Sequence, residues 1–165
     1  MINLDNIEVV LFDFDDTLCI HPKHGYTDKD ELELELRVYK DETSPWSKHS
    51  KNRHMQEFIN ECIEKKIHMG MMSLVPSFKH SERKIHWIKE NYGVDMENYS
   101  VGNREYKLRL LKVLAQTFNV EHSKIMFVDD RSDTLNEAAK NGFVAVSPMQ
   151  VVNYIESRGG GSVNV

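Results

Sequence analysis

VVLFDFDDTLC, residues 9–19, is the stretch that decides how this chain folds. Its four leading apolar residues indicate a strand buried on both faces, and Asp13 and Asp15 follow where that strand ends. Residues two apart on an extended chain point to the same side, so the two carboxylates face one place. Charge is unfavourable there, because partial burial of an ion costs several kcal/mol unless a partner compensates it.

A second stretch, KIMFVDD at residues 124–130, repeats this arrangement. Its apolar run indicates another buried strand, which ends in Asp129 and Asp130. The site of an open α/β sheet lies beyond the carboxyl ends of its strands, so the two acidic stretches are expected to meet. A divalent cation relieves the repulsion between them, and hard cations such as magnesium take oxygen ligands. The two stretches therefore predict a magnesium site.

The rest of the chain alternates predicted strands with predicted helices. This order indicates an α/β fold in which a central parallel sheet is covered on both faces. Ser81 is the expected N-cap of the second helix. Strands are expected at 8–13, 67–72, 98–102, 124–128 and 143–147, and helices at 53–66, 81–91, 104–118 and 133–141.

The segment between the first two strands has a different pattern. Within it, residues 31–39 read ELELELRVY, and this alternation favours a half-exposed strand over the helix that Glu and Leu prefer. We expect one domain over 1–157 with a small insert at about 19–52, followed by a glycine-rich, mobile tail at 158–165. The insert is too short for a large helical cap, which predicts an open site.

Bulk composition narrows the functional classes. With 40% hydrophobic and 28% charged residues the chain is globular, and its net charge of −5 disfavours a general polyanion binder. No apolar run approaches the roughly 18 residues of a membrane span, and the N-terminus lacks a secretory pattern. Cys19 and Cys62 are expected to be free thiols, which favours the cytoplasm. Irregularly spaced histidines are expected at the surface rather than in a zinc site: His21, His24, His49 and His54.

Three further side chains are suited to bind a phosphoryl group. Thr17 follows the first acidic pair and Ser73 follows the second predicted strand, so both hydroxyls can donate to a phosphoryl oxygen. Lys107 lies in the first turn of a predicted helix, where a cation opposes the helix dipole, so its position indicates a bound anion. A carboxylate is a competent nucleophile, and a carboxyl beside an anion has a raised pKa that suits a general acid. Asp13 and Asp15 can divide these tasks.

In these residues the chain resembles the haloacid dehalogenase superfamily of phosphohydrolases. Four family motifs follow in order: an apolar strand with D-x-D-x-T, a hydroxyl after the next strand, a lysine at a helix start, and an acidic pair with a third acid soon after. The matching residues span nearly the whole chain: Asp13, Asp15, Thr17, Ser73, Lys107, Asp129, Asp130 and Asp133. The resemblance implies a Rossmann-like three-layer sandwich and a magnesium-dependent phosphomonoester hydrolase with an aspartyl-phosphate intermediate.

The resemblance also implies a role for each residue. Asp13 would be the nucleophile, and Asp15 would protonate the leaving oxygen and later activate water. Magnesium would be held by Asp13, the backbone carbonyl of Asp15, and Asp130. Ser73 and Lys107 would bind the phosphoryl group, and Lys107 would also screen the charge of the nucleophile.

The fourth motif departs from the commoner form, because Thr134 stands where an acid is usual. The residue that supports the metal from outside is therefore either Asp129 or Asp133. This DD-type motif resembles the phosphatase half of some polynucleotide kinases. The candidate substrates are a phosphorylated small molecule and a phosphorylated polymer end, including a nucleic-acid 3′ end or a phosphoprotein. Residues 47–53, SKHSKNR, offer a small basic surface for a nucleic acid.

Two rival classes remain for this fold. One is a hydrolase of carbon–halogen bonds, against which Asp15 argues because that chemistry in the family does not retain the second aspartate. The other is a non-catalytic binding module, which the intact pair Asp13 and Asp15 disfavours. The oligomeric state is left open.

Overall fold

The computed structural model describes residues 1–22, 27–42 and 45–159. Within these ranges the chain forms seven strands and six α-helices, and none of the helices is both long and apolar enough to cross a bilayer. In chain order the elements are β1 Val9–Phe12, β2 Cys19–Ile20, α1 Asp28–Tyr39, β3 Ser50–Lys51, α2 Arg53–Glu64, β4 His68–Met71, α3 Phe78–Tyr92, β5 Glu97–Asn98, α4 Tyr106–Phe118, β6 Ile125–Val128, α5 Ser132–Lys140, β7 Val144–Val146 and α6 Pro148–Gly159.

The central sheet is parallel and has the strand order β5-β4-β1-β6-β7. β1 lies at its centre, where Phe12 stands beside Met71 of β4 and Val128 of β6. Every residue of β1 and β6 is buried, as expected for strands covered on both faces. The predicted parallel sheet is therefore confirmed, and the two acidic stretches leave it from adjacent strands.

Successive residues of β1 contribute to two separate cores. Val10 and Phe12 pack in a cluster with side chains of α2, α3 and α6, whereas Val9 and Leu11 pack with α4 and α5. Alternate side chains of a strand point to opposite faces, so helices cover both sides of the sheet. The three-layer α/β sandwich is confirmed.

Helix α6 was not expected from the sequence. It begins with Pro148 and packs against α2. The Ser147 hydroxyl accepts a hydrogen bond from the Gln150 N–H, while the Gln150 side chain accepts one from the Ser147 N–H. This reciprocal pair is a capping box, and with a proline at the first helical position it is a recognisable start signal. The helix includes the first two residues of the expected tail, and residues 160–165 lie outside the described residues.

The predicted strand within ELELELRVY is wrong, because this segment is helix α1. Thr27 starts it with a capping box to Asp30, which fixes helical geometry at the first turn. Leu34 and Val38, four residues apart, are buried, whereas Leu32 and Leu36 are about half exposed. The leucines thus follow two faces of a helix, and the propensity of Glu and Leu outweighs their alternation.

Tyr92, the last residue of α3, joins the two ends of the insert. Its hydroxyl donates to the carbonyl of Leu18, just before β2, and accepts from the N–H of Asn52, just after β3. Strands β2 and β3 pair antiparallel between these points. The insert is therefore closed at its base by one buried phenol.

Helix α3 begins earlier than predicted, and Ser77 rather than Ser81 is its N-cap. The Ser77 hydroxyl accepts from the N–H of His80, whereas Ser81 lies inside the helix and donates to the Phe78 carbonyl. Gly93 ends the helix in the left-handed conformation, as expected for a glycine C-cap.

Candidate active site

The carboxyl edge of the sheet brings three aspartates together. Asp13 follows β1 and its N–H donates to the carbonyl of Val128, 2.8 Å away, which fixes it beside the end of β6. Asp129 and Asp130 follow β6 directly. Each of the three offers a carboxylate oxygen within 4.8 Å of the other two. The sheet register therefore positions three oxygen ligands around one point.

Lys107 lies between two of these carboxylates. It projects from the first turn of α4 and is buried. Its ammonium donates to Asp13 Oδ1 at 3.0 Å and to Asp129 Oδ2 at 2.8 Å. An ammonium has three donors, and among the described residues none accepts the third hydrogen. Lys107 therefore keeps one donor for another oxygen.

The charges of this cluster are not balanced. Burial raises the pKa of Asp13 to about 6 against the opposing charge of Lys107, and the charge of Asp129 raises it further. Burial, followed by the charges of Asp13 and Asp129, raises the pKa of Asp130 to about 7. Lys107 contacts two of the three carboxylates, and ionisation of all three would leave two negative charges that Lys107 does not compensate. A group of carboxylate oxygens with excess negative charge fits a hard divalent cation.

Asp15 has partners different from those of the three clustered carboxylates. Its Oδ2 accepts a hydrogen bond from Lys84 at 2.8 Å, and His21 Nε2 lies 3.4 Å from its Oδ1. Burial raises the pKa of this carboxyl, but the charge of Lys84 and hydrogen bonds from His21 and Lys84 outweigh burial, so its pKa lies well below the usual range. The expectation of a raised pKa for Asp15 is therefore wrong for the protein without metal, because Lys84 and His21 stabilise its ionised form.

Lys84 was missed in the sequence. It projects from α3 with 2% of its surface exposed, and its ammonium donates to Asp15 Oδ2 and, at 2.9 Å, to Ser73 Oγ. Its ring contact is Phe14, whose centroid lies 4.9 Å away. One signal was present, since Lys84 stands four residues before the inward-facing Ile88 and thus on the apolar stripe of the helix.

His21, which directly follows β2, also differs from the prediction that the histidines lie at the surface. His21 is buried rather than at the surface, and its Nδ1 lies 2.6 Å from Nε2 of His49. Burial, with the nearby His21, lowers the pKa of His49 to about 4, so the His49 ring is neutral near pH 7. His24 lies outside the described residues. A short insert strand thus brings one imidazole against Asp15.

Two hydroxyls predicted to bind phosphate are fully buried. Thr17 follows Asp16, which adopts the left-handed conformation with φ 55°, and this turn folds the chain back after the strand. Thr17 Oγ1 has no hydrogen-bond partner among the described residues. A buried hydroxyl without a partner is costly, which fits a donor kept for a ligand. Ser73 accepts from Lys84, and its own hydroxyl contacts the Leu74 carbonyl only at 3.4 Å.

Asp133 lies apart from the carboxylate cluster. It is exposed and its oxygens accept two hydrogen bonds from the guanidinium of Arg131. Those bonds lower its pKa. Asp129 is fully buried and accepts from Lys107 and, at 2.9 Å, from the N–H of Arg131. The structure therefore groups Asp129, not Asp133, with Asp13 and Asp130, while the role of either in metal support stays a prediction.

No protein-family model matches the sequence, and no curated protein is significantly similar to it. Solved structures do match. The cobalt-bound deoxy-D-mannose-octulosonate 8-phosphate phosphatase of Haemophilus influenzae has a TM-score of 0.53 at 17% identity, over 96% of this chain and 92% of the other. A HAD family enzyme of Bacteroides thetaiotaomicron, complexed with magnesium and inorganic phosphate, has a TM-score of 0.53 at 12% identity, over 86% and 93%.

An L-2-haloacid dehalogenase is similar to the same degree, with a TM-score of 0.54 at 10% identity over 92% of this chain and 98% of that one. At such identities the likeness establishes the fold, and enzymes of different chemistry share it. A central parallel sheet with helices on both faces and neighbours of this kind identify the architecture. The chain has the Rossmann-like α/β fold of the haloacid dehalogenase superfamily.

Proposed function

We propose that this protein is a magnesium-dependent phosphomonoester hydrolase that transfers the phosphoryl group first to Asp13 and then to water. The supporting observation is the cluster of Asp13, Asp129 and Asp130 around Lys107 at the carboxyl edge of the sheet. Solved neighbours that include a phosphatase and a complex with magnesium and phosphate support phosphoester chemistry in general. The specific roles below rest on the geometry of this chain.

The carboxylate cluster fits magnesium. Asp13 and Asp130 would hold the ion together with the backbone carbonyl of Asp15, and Asp129 lies close enough to support it. The ion would neutralise charge on the phosphoryl group as the reaction proceeds. The raised pKa values of Asp13 and Asp130 are consistent with such a site, because a bound cation would offset the burial and the carboxylate repulsion that raise them.

The nucleophilic step belongs to Asp13. Its carboxylate oxygen attacks phosphorus, the bond from phosphorus to the leaving oxygen breaks, and the leaving oxygen takes a proton from Asp15. Among the described residues three donors are available to the transferred group: the third hydrogen of Lys107, the hydroxyl of Thr17 and that of Ser73. Phosphoryl transfer depends mainly on positioning and on stabilising charge, which such donors supply.

Asp15 must carry a proton in the first step and lack one in the second. Its lowered pKa makes it ionised in the free protein, which is the form that accepts a proton from water during hydrolysis of the Asp13 phosphoester. A phosphate dianion placed beside it opposes the ionised form, since like charges raise the pKa of a carboxyl. Substrate binding would therefore shift Asp15 toward the protonated form that the first step requires.

The site is open on two sides. Asp130 is exposed, and the Asp15 side chain is 43% exposed. This accessibility suits either a phosphorylated polymer end, such as a nucleic-acid 3′ end or a phosphoprotein, or a small phosphorylated molecule. The exposure of these two carboxylates does not distinguish between the substrate classes, and a measurement of activity on each class does.

The experiment is a phosphatase screen with and without magnesium. Substrates should cover nucleotides, sugar phosphates, phosphopeptides and 3′-phosphorylated oligonucleotides, with released phosphate as the readout. We expect turnover of at least one class that requires magnesium and is lost in Asp13→Asn. Asp95→Asn, at an exposed acid that pairs with Lys89, is the matched control and should behave like the wild type.

Two outcomes would replace the proposal. Release of halide from a haloacid without release of phosphate from any phosphoester would favour a carbon–halogen hydrolase. Binding of magnesium and inorganic phosphate without turnover of any substrate would favour a non-catalytic binding module. Activity that survives Asp13→Asn would place the nucleophile elsewhere.

A further inference from the structure

The site contains a second buried lysine that the proposed chemistry does not use. Lys84 is 2% exposed, and the one carboxylate it contacts, on Asp15, is 43% exposed on its side chain. Burying an ammonium costs several kcal/mol, and apolar residues of similar volume are often at least as stabilising as a buried ion pair. Packing alone therefore does not account for a lysine here.

The hydrogen bonds of Lys84 show what it can do. Its ammonium donates to Asp15 Oδ2 at 2.8 Å, to Ser73 Oγ at 2.9 Å and, weakly, to the Leu74 carbonyl at 3.4 Å. All three donors are thus directed at the protein, whereas Lys107 keeps one of its three. Lys84 is therefore placed to orient other groups rather than to hold a phosphoryl oxygen itself.

The bond to Ser73 has a directional consequence. A hydroxyl has one hydrogen, and an oxygen that accepts from Lys84 must send that hydrogen elsewhere. Its contact in this structure, the Leu74 carbonyl at 3.4 Å, is long for an O–H donor. The Ser73 hydrogen is consequently available to a better acceptor, and a phosphoryl oxygen is one.

We propose that Lys84 is a positioning residue that presents the Ser73 hydroxyl as a donor to the phosphoryl group and holds the Asp15 carboxylate beside it. The role rests on the proposed phosphatase function and adds to it a residue from α3 that none of the four sequence motifs contains. One ammonium thereby ties the proton-transferring carboxylate to a phosphate-binding hydroxyl.

The test is a double-mutant cycle between Ser73→Ala and Lys84→Met, measured as kcat/KM with p-nitrophenyl phosphate and magnesium. In the wild type, Ser73→Ala should lower kcat/KM by about 100-fold, since one donor to developing charge is worth about that much. In the Lys84→Met background the same change should cost less than about threefold, because Ser73 is no longer oriented. Lys89→Met, on an exposed face of the same helix, is the control background, in which Ser73→Ala keeps its full effect.

Two measurements separate positioning from a merely structural role. Lys84→Met should bind magnesium like the wild type, seen as an equal rise in melting temperature on adding the ion, because Asp13, Asp129, Asp130 and Lys107 remain. Lys84→Arg should recover part of the lost kcat/KM, since it keeps a charged donor at this position. If Lys84→Met does not fold, Lys84→Gln replaces it in the cycle, because its amide is uncharged and one bond shorter.

The outcomes distinguish this inference from the function on which it rests. An active wild type in which Ser73→Ala costs the same in the Lys84 variants as in the Lys89 control overturns the role of Lys84 and leaves the phosphatase standing. Loss of the magnesium response in Lys84→Met also overturns it, since the damage would then be general. A wild type that hydrolyses no phosphoester overturns both proposals.

Discussion

The two buried lysines divide the site into halves that differ in charge. The metal-facing half, formed by Asp13, Asp129, Asp130 and Lys107, contains three carboxylates and one ammonium, which contacts two of them. In the insert-facing half, formed by Asp15, Ser73, Lys84 and His21, one ammonium faces one carboxylate. The metal-facing half therefore has an excess of negative charge, whereas the charges of the insert-facing half are balanced. The difference indicates that a cation is needed mainly by the side chains of the metal-facing half, where carboxylates outnumber ammonium groups.

The largest expected effect is on Asp13, the proposed nucleophile of the metal-facing half. Asp13→Asn should lower phosphatase kcat by at least about 10⁴-fold, because an amide does not form the covalent intermediate. The fold should persist and gain stability without metal, since the change removes one of the repelling charges. Phosphate release and a thermal melt, with Asp95→Asn as control, measure the two effects. A melting temperature well below that of the wild type would contradict the charge argument.

The next effect compares the two lysines in the absence of metal. Lys107→Met leaves two buried carboxylates without their cation and should lower the free energy of unfolding by about 3 kcal/mol. Lys84→Met should cost less, because the Asp15 side chain is 43% exposed and water can solvate its charge.

Urea denaturation with and without magnesium checks this contrast. The ion should restore part of the stability lost in Lys107→Met and none of that lost in Lys84→Met. Equal losses, or equal recovery by magnesium, would remove the distinction between the halves.

A smaller effect tests the helix of the insert. Leu34 is buried and Leu36 is 48% exposed, a difference that helix α1 explains and a strand would not. Leu34→Ala should lower the free energy of unfolding by about 2 kcal/mol, whereas Leu36→Ala should change it by less than about 0.5 kcal/mol. Urea denaturation of both variants decides the matter. Equal losses of unfolding free energy in the two variants would contradict the helix and favour the strand that the alternation predicts.

The smallest effect concerns pH and Asp130. Its folded-state pKa, about 7, lies above the ordinary value of 3.8, so its ionised form costs stability above that pH and the cost fades as pH falls. Asp130→Asn should therefore raise the melting temperature of the metal-free protein more at pH 8 than at pH 5.5. The same substitution should increase the magnesium concentration required for activity. A pH-independent gain with an unchanged metal titration would argue against Asp130 as a ligand.

The metal-facing half could be predicted from the sequence because backbone order alone assembles it. Apolar runs that end in acids indicate buried strands, and adjacent parallel strands bring their ends together. Asp13, Asp129 and Asp130 therefore met as expected, and Lys107 joined them from the start of a predicted helix. Only the backbone register was needed to bring them together.

In the insert-facing half, Asp15 and Ser73 were predicted from the sequence, whereas no local pattern relates Lys84 and His21 to the site. Lys84 enters it from the middle of α3, and its sequence neighbours have the composition of an ordinary amphipathic helix. His21 enters from a two-residue strand whose pairing with Ser50 and Lys51 joins distant segments. Helix α1 was missed for another reason, since the alternation of Leu and Glu favours a strand, whereas helix propensity, the Thr27 capping box and the burial of Leu34 and Val38 favour the helix.

The hydrogen bonds of the Tyr92 hydroxyl make the insert separable from the sheet domain. By bonding to Leu18 and Asn52 it fixes the separation of the two points where the insert leaves and rejoins the sheet domain. The entropic cost of closing a loop rises only slowly with its length, by roughly 0.6 kcal/mol for each doubling. With its base already fixed, the intervening chain can be exchanged or lengthened at little thermodynamic cost, and its ends would still return to the same two points of the sheet domain.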